Sequence, residues 1–268
     1  MRIMDFKLSS HDDSASHKKR SVAYLTDVGQ VRTVDEDSIL AANLSFGVNS
    51  KSTQFHLLVV ADGMGGHAKG EEASKIALNA ISKTVIPELL SEIPLTELLK
   101  AGIQNANQDI LDHIDKNPET SGMGTTSVCA IVKDNEVYLA NVGDSRAYVI
   151  SNDEIRRVTK DHSYVQELVD SGDITEEESR EHPKKNVITK AVGIMSSVEP
   201  DMMRLTLDSD ESLLLCCDGV MAHLDDGDIH KIINDSDDPQ NACQKIVDLA
   251  NERGGSDNIS LILLSSGN

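Results

Sequence analysis

The sequence predicts an α+β domain built on antiparallel strand pairing, and three observations lead there. Short apolar runs closed by Gly, Asp or Asn follow one another without intervening helices, as strands joined by tight turns do. Asp134-Asn135 falls between two such runs and reads as a hairpin turn. Helix-period patterns come in pairs, one early and one late, instead of alternating with strands, which argues against a doubly wound parallel sheet.

Residues 1–20 read as a polar arm. It ends in His17-Lys18-Lys19-Arg20 and lacks the apolar centre of a signal peptide. Residues 21–268 read as one domain. Val22–Thr26 and Phe55–Ala61 are the first strands. Ala73–Ile86 and Leu95–Ile114 repeat apolar residues at three- and four-residue spacing and are helices. Thr126–Val132, Val137–Val142 and Ala147–Ile150 are consecutive strands. Tyr164–Gly193 breaks the pattern with Glu176-Glu177-Glu178 and Pro183-Lys184-Lys185. It reads as a mobile surface insertion carrying short helices. Leu213–Cys217 is a strand, Asp226–Asn234 and Gln240–Asn251 are helices, and Ile259–Leu264 is the last strand. Asp238-Pro239 is the start signal of the last helix. Aromatic residues make up only 3%, so Leu, Ile, Val and Ala must fill the core.

Charge narrows the function. The net charge of −20 repels nucleic acid and anionic lipid, both of which need Lys and Arg for neutralisation. No apolar run approaches the roughly 18 residues that span a membrane. The four cysteines, Cys129, Cys216, Cys217 and Cys243, form no C-x-x-C pair, which argues against zinc and suits a reducing cytoplasm.

The acids are placed unusually. Asp62 follows Leu57-Leu58-Val59-Val60-Ala61, and Asp218 follows Leu213-Leu214-Leu215-Cys216-Cys217. Asp144 closes another strand, Asp257 precedes Ile259–Leu264, and Glu36-Asp37 precedes Ser38-Ile39-Leu40. A lone carboxylate at the end of a buried strand needs a partner. Only 25 Lys and Arg face 45 Asp and Glu, so divalent cations with a taste for oxygen ligands are the natural alternative. Gly63 and Gly219 directly after Asp62 and Asp218 let backbone or water approach closely. Two clustered ions imply phosphate ester hydrolysis by an activated water, and no G-x-S-x-G or C-x₅-R signature offers a covalent nucleophile.

Eight motifs stand in the order of one family. They are Asp27-Val28-Gly29 through Arg32 to Glu36-Asp37, Val60-Ala61-Asp62-Gly63-Met64-Gly65-Gly66-His67, Gly124-Thr125-Thr126, and Asn141-Val142-Gly143-Asp144-Ser145-Arg146. Thr159-Lys160-Asp161-His162-Ser163, Ile188-Thr189-Lys190-Ala191-Val192-Gly193, Cys217-Asp218-Gly219-Val220 and Ser256-Asp257-Asn258-Ile259 follow. From about Ser21 to Leu264 the chain resembles the protein phosphatase 2C family of metal-dependent serine/threonine phosphatases, in its bacterial form.

The resemblance implies a sandwich of two antiparallel β-sheets flanked by α-helices (α-β-β-α), with residues 164–193 as a flap. It implies Mn²⁺ or Mg²⁺ as cofactor, with two tight ions. Asp62 would bridge them, Asp37 and the Gly63 carbonyl would serve the first, with Glu36 acting through water, and Asp218 and Asp257 the second. Asp144, with Asp218, would hold a third, weaker ion, and Arg32 would clamp the substrate phosphate. Phosphoserine and phosphothreonine proteins would be the substrates, and a serine/threonine kinase the counterpart. The chain departs from the family pattern in three places. Asp35 replaces an Asn, Lys190 stands where Arg is common, and Met64 occupies the place of a leaving-group His of eukaryotic relatives. His67, three residues on, reads as structural or turn-capping. Among the remaining polar residues, Arg146 reads as the partner of a local carboxylate, His162 as a loop residue, and Thr125 and Thr126 as backbone partners near the site. A catalytically dead binding module is disfavoured because the acids are all present. A two-metal nuclease is disfavoured by the charge.

Overall fold

A strand that is apolar without interruption, such as Leu57-Leu58-Val59-Val60-Ala61, must be covered on both faces. The computed structural model, which describes residues 20–65 and 69–265, shows what covers it. One sheet has the order β2 (Asp37–Val48), β3 (Lys51–Met64), β5 (Ser127–Lys133), β6 (Glu136–Val142), β9 (Asp201–Thr206), with the short β4 (Gly124–Thr125) paired on β3. The other runs β1 (Ser21–Asp27), β11 (Ile259–Ser265), β10 (Ser212–Cys216), β7 (Arg146–Ile150), β8 (Ile155–Arg157). Every pairing is antiparallel.

Alternation along each strand divides its side chains between two layers. Leu58 and Val60 of β3 meet Leu213 and Leu215 of β10 and Ile262 of β11 between the sheets. Leu57 and Val59 point the other way, against Ile81 of α1 (Lys69–Val85) and Leu99 and Ile103 of α2 (Leu95–Lys116). On the far side, Leu214 and Leu263 pack on Ile246 and Val247 of α7 (Pro239–Glu252). Here α5 (Asp218–Met221) and α6 (Asp226–Asn234) join the same layer through Val220 and Ile229. The expected helix–sheet–sheet–helix sandwich is therefore present, and its two sheets hold the strand ends that carry the acids.

Residues 164–193 carry α3 (Tyr164–Ser171) and α4 (Glu176–Glu181). Ser163 caps α3, and Thr175 and Glu178 form a reciprocal capping box on α4. Four strands were not anticipated: β2, β4, β8 and β9. β4 is two residues long, and β2, β8 and β9 are edge strands whose side chains are mostly half-buried or exposed, so their sequences lack the unbroken apolar run that marks β3 or β10. β1, also at an edge, was read from Val22–Thr26. The 1–20 arm, apart from Arg20, and His67 lie outside the described residues.

Candidate active site

The antiparallel ladder places the first pair of acids. Asp37 opens β2 directly opposite Asp62 near the end of β3. Asp218 begins α5 as the chain leaves β10, Asp257 lies just ahead of β11, and Asp144 occupies the turn between β6 and β7. The two sheets face each other, so these ends come to one edge of the sandwich. Carboxylate oxygens of Asp37 and Asp62 and the Cys217 sulfur lie within 4.8 Å of one another.

The electrostatics of this edge are those of negative charge with too few positive partners. Burial pushes the Asp62 carboxyl well above its usual range, and the charges of Asp37, Asp218, Asp144 and Asp257 all push it further. Burial raises Asp37 to about 7; the neighbouring Ser260 and Cys217 side chains pull it back part of the way, and repulsion from Asp35 and Asp218 adds to the rise. Asp144 is raised by burial and by Asp218 and Asp161, and Asp218 by burial and Asp257. Both carboxylate oxygens of Asp37 and Oδ1 of Asp144 are buried without a hydrogen-bond partner. Such orphaned acceptors are costly unless something positive meets them. Hard oxygen donors with unfilled lone pairs fit Mg²⁺ or Mn²⁺. Cys217 does not change that donor set. Burial and three neighbouring aspartates keep it a thiol, and its Sγ donates to the Asn258 carbonyl at 3.3 Å and accepts from the Ser260 N–H at 3.1 Å.

The remaining expected site residues fall around this centre. Gly63 donates its N–H to the Glu36 carbonyl at 3.1 Å. A Cβ on Gly63 would lie 2.1 Å from the Gly70 carbonyl oxygen, and one on Gly219 1.9 Å from that of Asn258. The Asp-Gly pairs are thus enforced by backbone packing against the site. Glu36 spends one oxygen on the Gly70 N–H of α1 at 3.2 Å. Arg32 donates through Nη2 to Asp257 Oδ2 at 2.8 Å and has an Nη1 3.9 Å from Glu36, with 46% of its side chain exposed. Arg146 makes a forked pair with Asp161, its Nη2 at 2.7 Å. Thr125 Oγ1 donates to the Asp62 carbonyl at 2.8 Å, and Thr126 Oγ1 accepts from the Asp62 N–H at 3.2 Å.

Sequence reasoning missed the brace behind these acids. Asn258 Nδ2 donates to the carbonyls of Val28 and Val34, both at 3.0 Å, while its Oδ1 accepts from the Glu36 N–H at 2.9 Å. It pins the loop carrying Arg32, Glu36 and Asp37 to the start of β11. The available signal was an amide at the head of an otherwise apolar strand. A cleft of about 310 Å³ opens beside Asp144 and Asp218, lined also by Arg180, Lys185, His223 and Arg253.

An α-β-β-α sandwich whose strand ends gather carboxylates without enough basic partners has the build of a metal-dependent phosphatase. Residues 26–168 and 182–259 match the model of the family described as Protein phosphatase 2C. The chain is 34% identical over 243 residues to the "Serine/threonine phosphatase stp" of Listeria innocua, covering 90% of this chain and 94% of that one. The crystal structure of the Mycobacterium tuberculosis serine/threonine phosphatase PstP/Ppp superposes with a TM-score of 0.82 at 31% identity, covering 93% of this chain and 99% of that one. The catalytic domain of serine threonine protein phosphatase PstP in complex with 2 manganese ions superposes with a TM-score of 0.78 at 30% identity and the same coverage of both chains. The chain belongs to the protein phosphatase 2C family and is a protein serine/threonine phosphatase.

Proposed function

We propose that the chain hydrolyses phosphoserine and phosphothreonine in proteins with two tightly held Mn²⁺ or Mg²⁺ ions. Asp62 would serve both, Asp37 and the Gly63 carbonyl would hold one, and Asp218 and Asp257 would hold the other. Glu36 would act on the first through water, and Asp144 with Asp218 would hold a third, weaker ion. The observation that carries this reading is Asp37, whose two oxygens are buried and unpartnered opposite Asp62. When bound, such ions lower the pKa of water and offset charge on the phosphoryl oxygens.

The protein's own groups do the rest. Thr125 and Thr126 fix the Asp62 backbone on both sides, so its carboxylate is aimed before any ion arrives. Arg32 uses one Nη on Asp257 and is half exposed, which leaves guanidinium donors for a phosphoryl oxygen. The 164–193 segment forms one wall of the cleft beside Asp144 and Asp218, which suits a flap that influences which phosphoproteins enter. The setting that fits is cytoplasmic signalling, opposite a serine/threonine kinase. Among the described residues no helix is long and apolar enough to cross a membrane.

The test is phosphate release from phosphoserine and phosphothreonine peptides with Mn²⁺, with Mg²⁺ and with excess chelator. Turnover is expected only with metal. Full turnover in chelator, with bound metal measured as nil, sinks the mechanism.

A further inference from the structure

An acid is only as well aimed as the turn that carries it, and the Asp144 turn is gripped by a residue outside the acid set. His162 holds Gly143 twice. Its backbone N–H donates to the Gly143 carbonyl at 3.0 Å, and the Gly143 N–H donates to its ring Nδ1, also at 3.0 Å. A backbone N–H can only donate, so Nδ1 bears the lone pair and the ring proton sits on Nε2. Nε2 lies 3.2 Å from Asp201 Oδ1 at the start of β9, and Lys190 Nζ reaches the same oxygen at 3.2 Å. Burial and the Lys190 charge lower the ring's pKa, which favours the neutral, accepting form.

Both ring nitrogens are therefore occupied, and neither is left to carry a proton to a substrate. What the ring does is join two places. On one side is the end of the 164–193 segment, through Lys190 and Asp201. On the other is the turn whose next residue, Asp144, has a buried oxygen with no partner. Ser145, on the far side of Asp144, is held separately, its hydroxyl 2.8 Å from Thr126 Oγ1. Asp144 is thus clamped at both neighbours, and the clamp on the Gly143 N–H is the His162 ring.

We infer that His162 is a positioning residue for Asp144. Through Nδ1 it fixes the Gly143 N–H, and with it the direction in which the Asp144 carboxylate presents to a divalent ion. This rests on the reading of Asp144 as an ion ligand. Groups behind a ligand commonly change metal affinity or activity by about 10–100-fold.

Two amide variants separate the ring nitrogens. His162→Asn places an acceptor near the Nδ1 position, whereas His162→Gln reaches toward the Nε2 position and leaves the Gly143 N–H without its partner. Mn²⁺ alone is titrated by calorimetry into the full chain, and turnover of p-nitrophenyl phosphate is followed against Mn²⁺, with melting temperatures recorded throughout. H162Q is expected to weaken the weakest Mn²⁺ site by about tenfold or more and to leave KM at saturating Mn²⁺ in place. H162N is expected to retain most of that affinity. On an Asp144→Ala background H162Q should add nothing further, because residues acting through one another are not additive.

Equal losses in H162N and H162Q overturn the inference, as does a full additional loss from H162Q once Asp144 is gone. If D144A loses the weak site while H162Q keeps it, only the role of His162 falls. If D144A binds Mn²⁺ and turns over like the parent, the ligand reading of Asp144 falls, and this inference with it. Should H162Q melt below the assay temperature, the titration is run below its melting midpoint, and unchanged weak-site affinity there overturns the inference.

Discussion

Strand β3 and the run from β10 into α5 each carry two regions with opposite energetics. Along Leu57–Ala61 and Leu213–Cys216 every side chain is buried and apolar, and burial stabilises the fold. One or two residues further on, at Asp62 and Asp218, burial works against the fold, because carboxyls are desolvated beside other carboxyls. The same ladder that packs the core brings the acids together. The difference teaches that the sandwich stabilises the domain along its length and concentrates destabilising charge at one edge, where a cation can meet it.

The largest effect is expected at Asp62. Asp62→Asn is expected to lower kcat at saturating Mn²⁺ by at least about 100-fold, the upper end of what is lost when a group behind a ligand is removed. It should also raise the melting temperature in chelator, since a repelling charge is gone. Near-parent turnover, or a lower melting temperature, would count against a charged centre of this kind.

Leu58→Ala tests the other region. Leu58 is fully buried between the sheets, so its truncation should cost about 2–5 kcal/mol in urea unfolding. The metal-free protein should show the loss as fully as the Mn²⁺-loaded one. A loss seen only with Mn²⁺ would mean that core and acid edge are not separable.

pH sharpens the contrast. The Asp37 carboxyl sits at about 7 in the fold against an ordinary 3.8, so the folded state holds that proton more tightly than the unfolded chain. Its contribution is complete below the unfolded value and is lost as pH rises through about 7. Melting in chelator should therefore fall across that window, and Asp37→Asn should flatten the slope. A flat profile in the parent would show that Asp37 ionises freely.

Arg32→Ala should have the smallest effect of the four. It lies outside the core and donates to Asp257 from a half-exposed position. KM for a phosphopeptide is expected to rise about tenfold with a lesser fall in kcat and intact Mn²⁺ binding. Loss of Mn²⁺ binding would instead assign Arg32 to holding Asp257.

Legibility in the sequence followed burial. Strands covered on both faces, such as β3 and β10, announced themselves as unbroken apolar runs, and the long helices by their spacing. β2, β8 and β9 did not, because their side chains are mostly half-buried or exposed and mix polar with apolar residues. The ion pair of Arg146 with Asp161 was foreseen only as an unnamed local carboxylate. The bracing role of Asn258 was missed, because its partners at Val28, Val34 and Glu36 are more than 220 residues away in the chain.

Read alone, the chain showed which residue types close the strands, that cations were the natural partners of those acids, and, through motif order, the family. These are local or additive properties of the chain. Packing in three dimensions was needed to set Asp37 opposite Asp62 with both oxygens unpartnered, to rest Arg32 on Asp257, and to let His162 grip the Asp144 turn. Each depends on distances between segments far apart in sequence, set by how two sheets pack and not by any one stretch of residues.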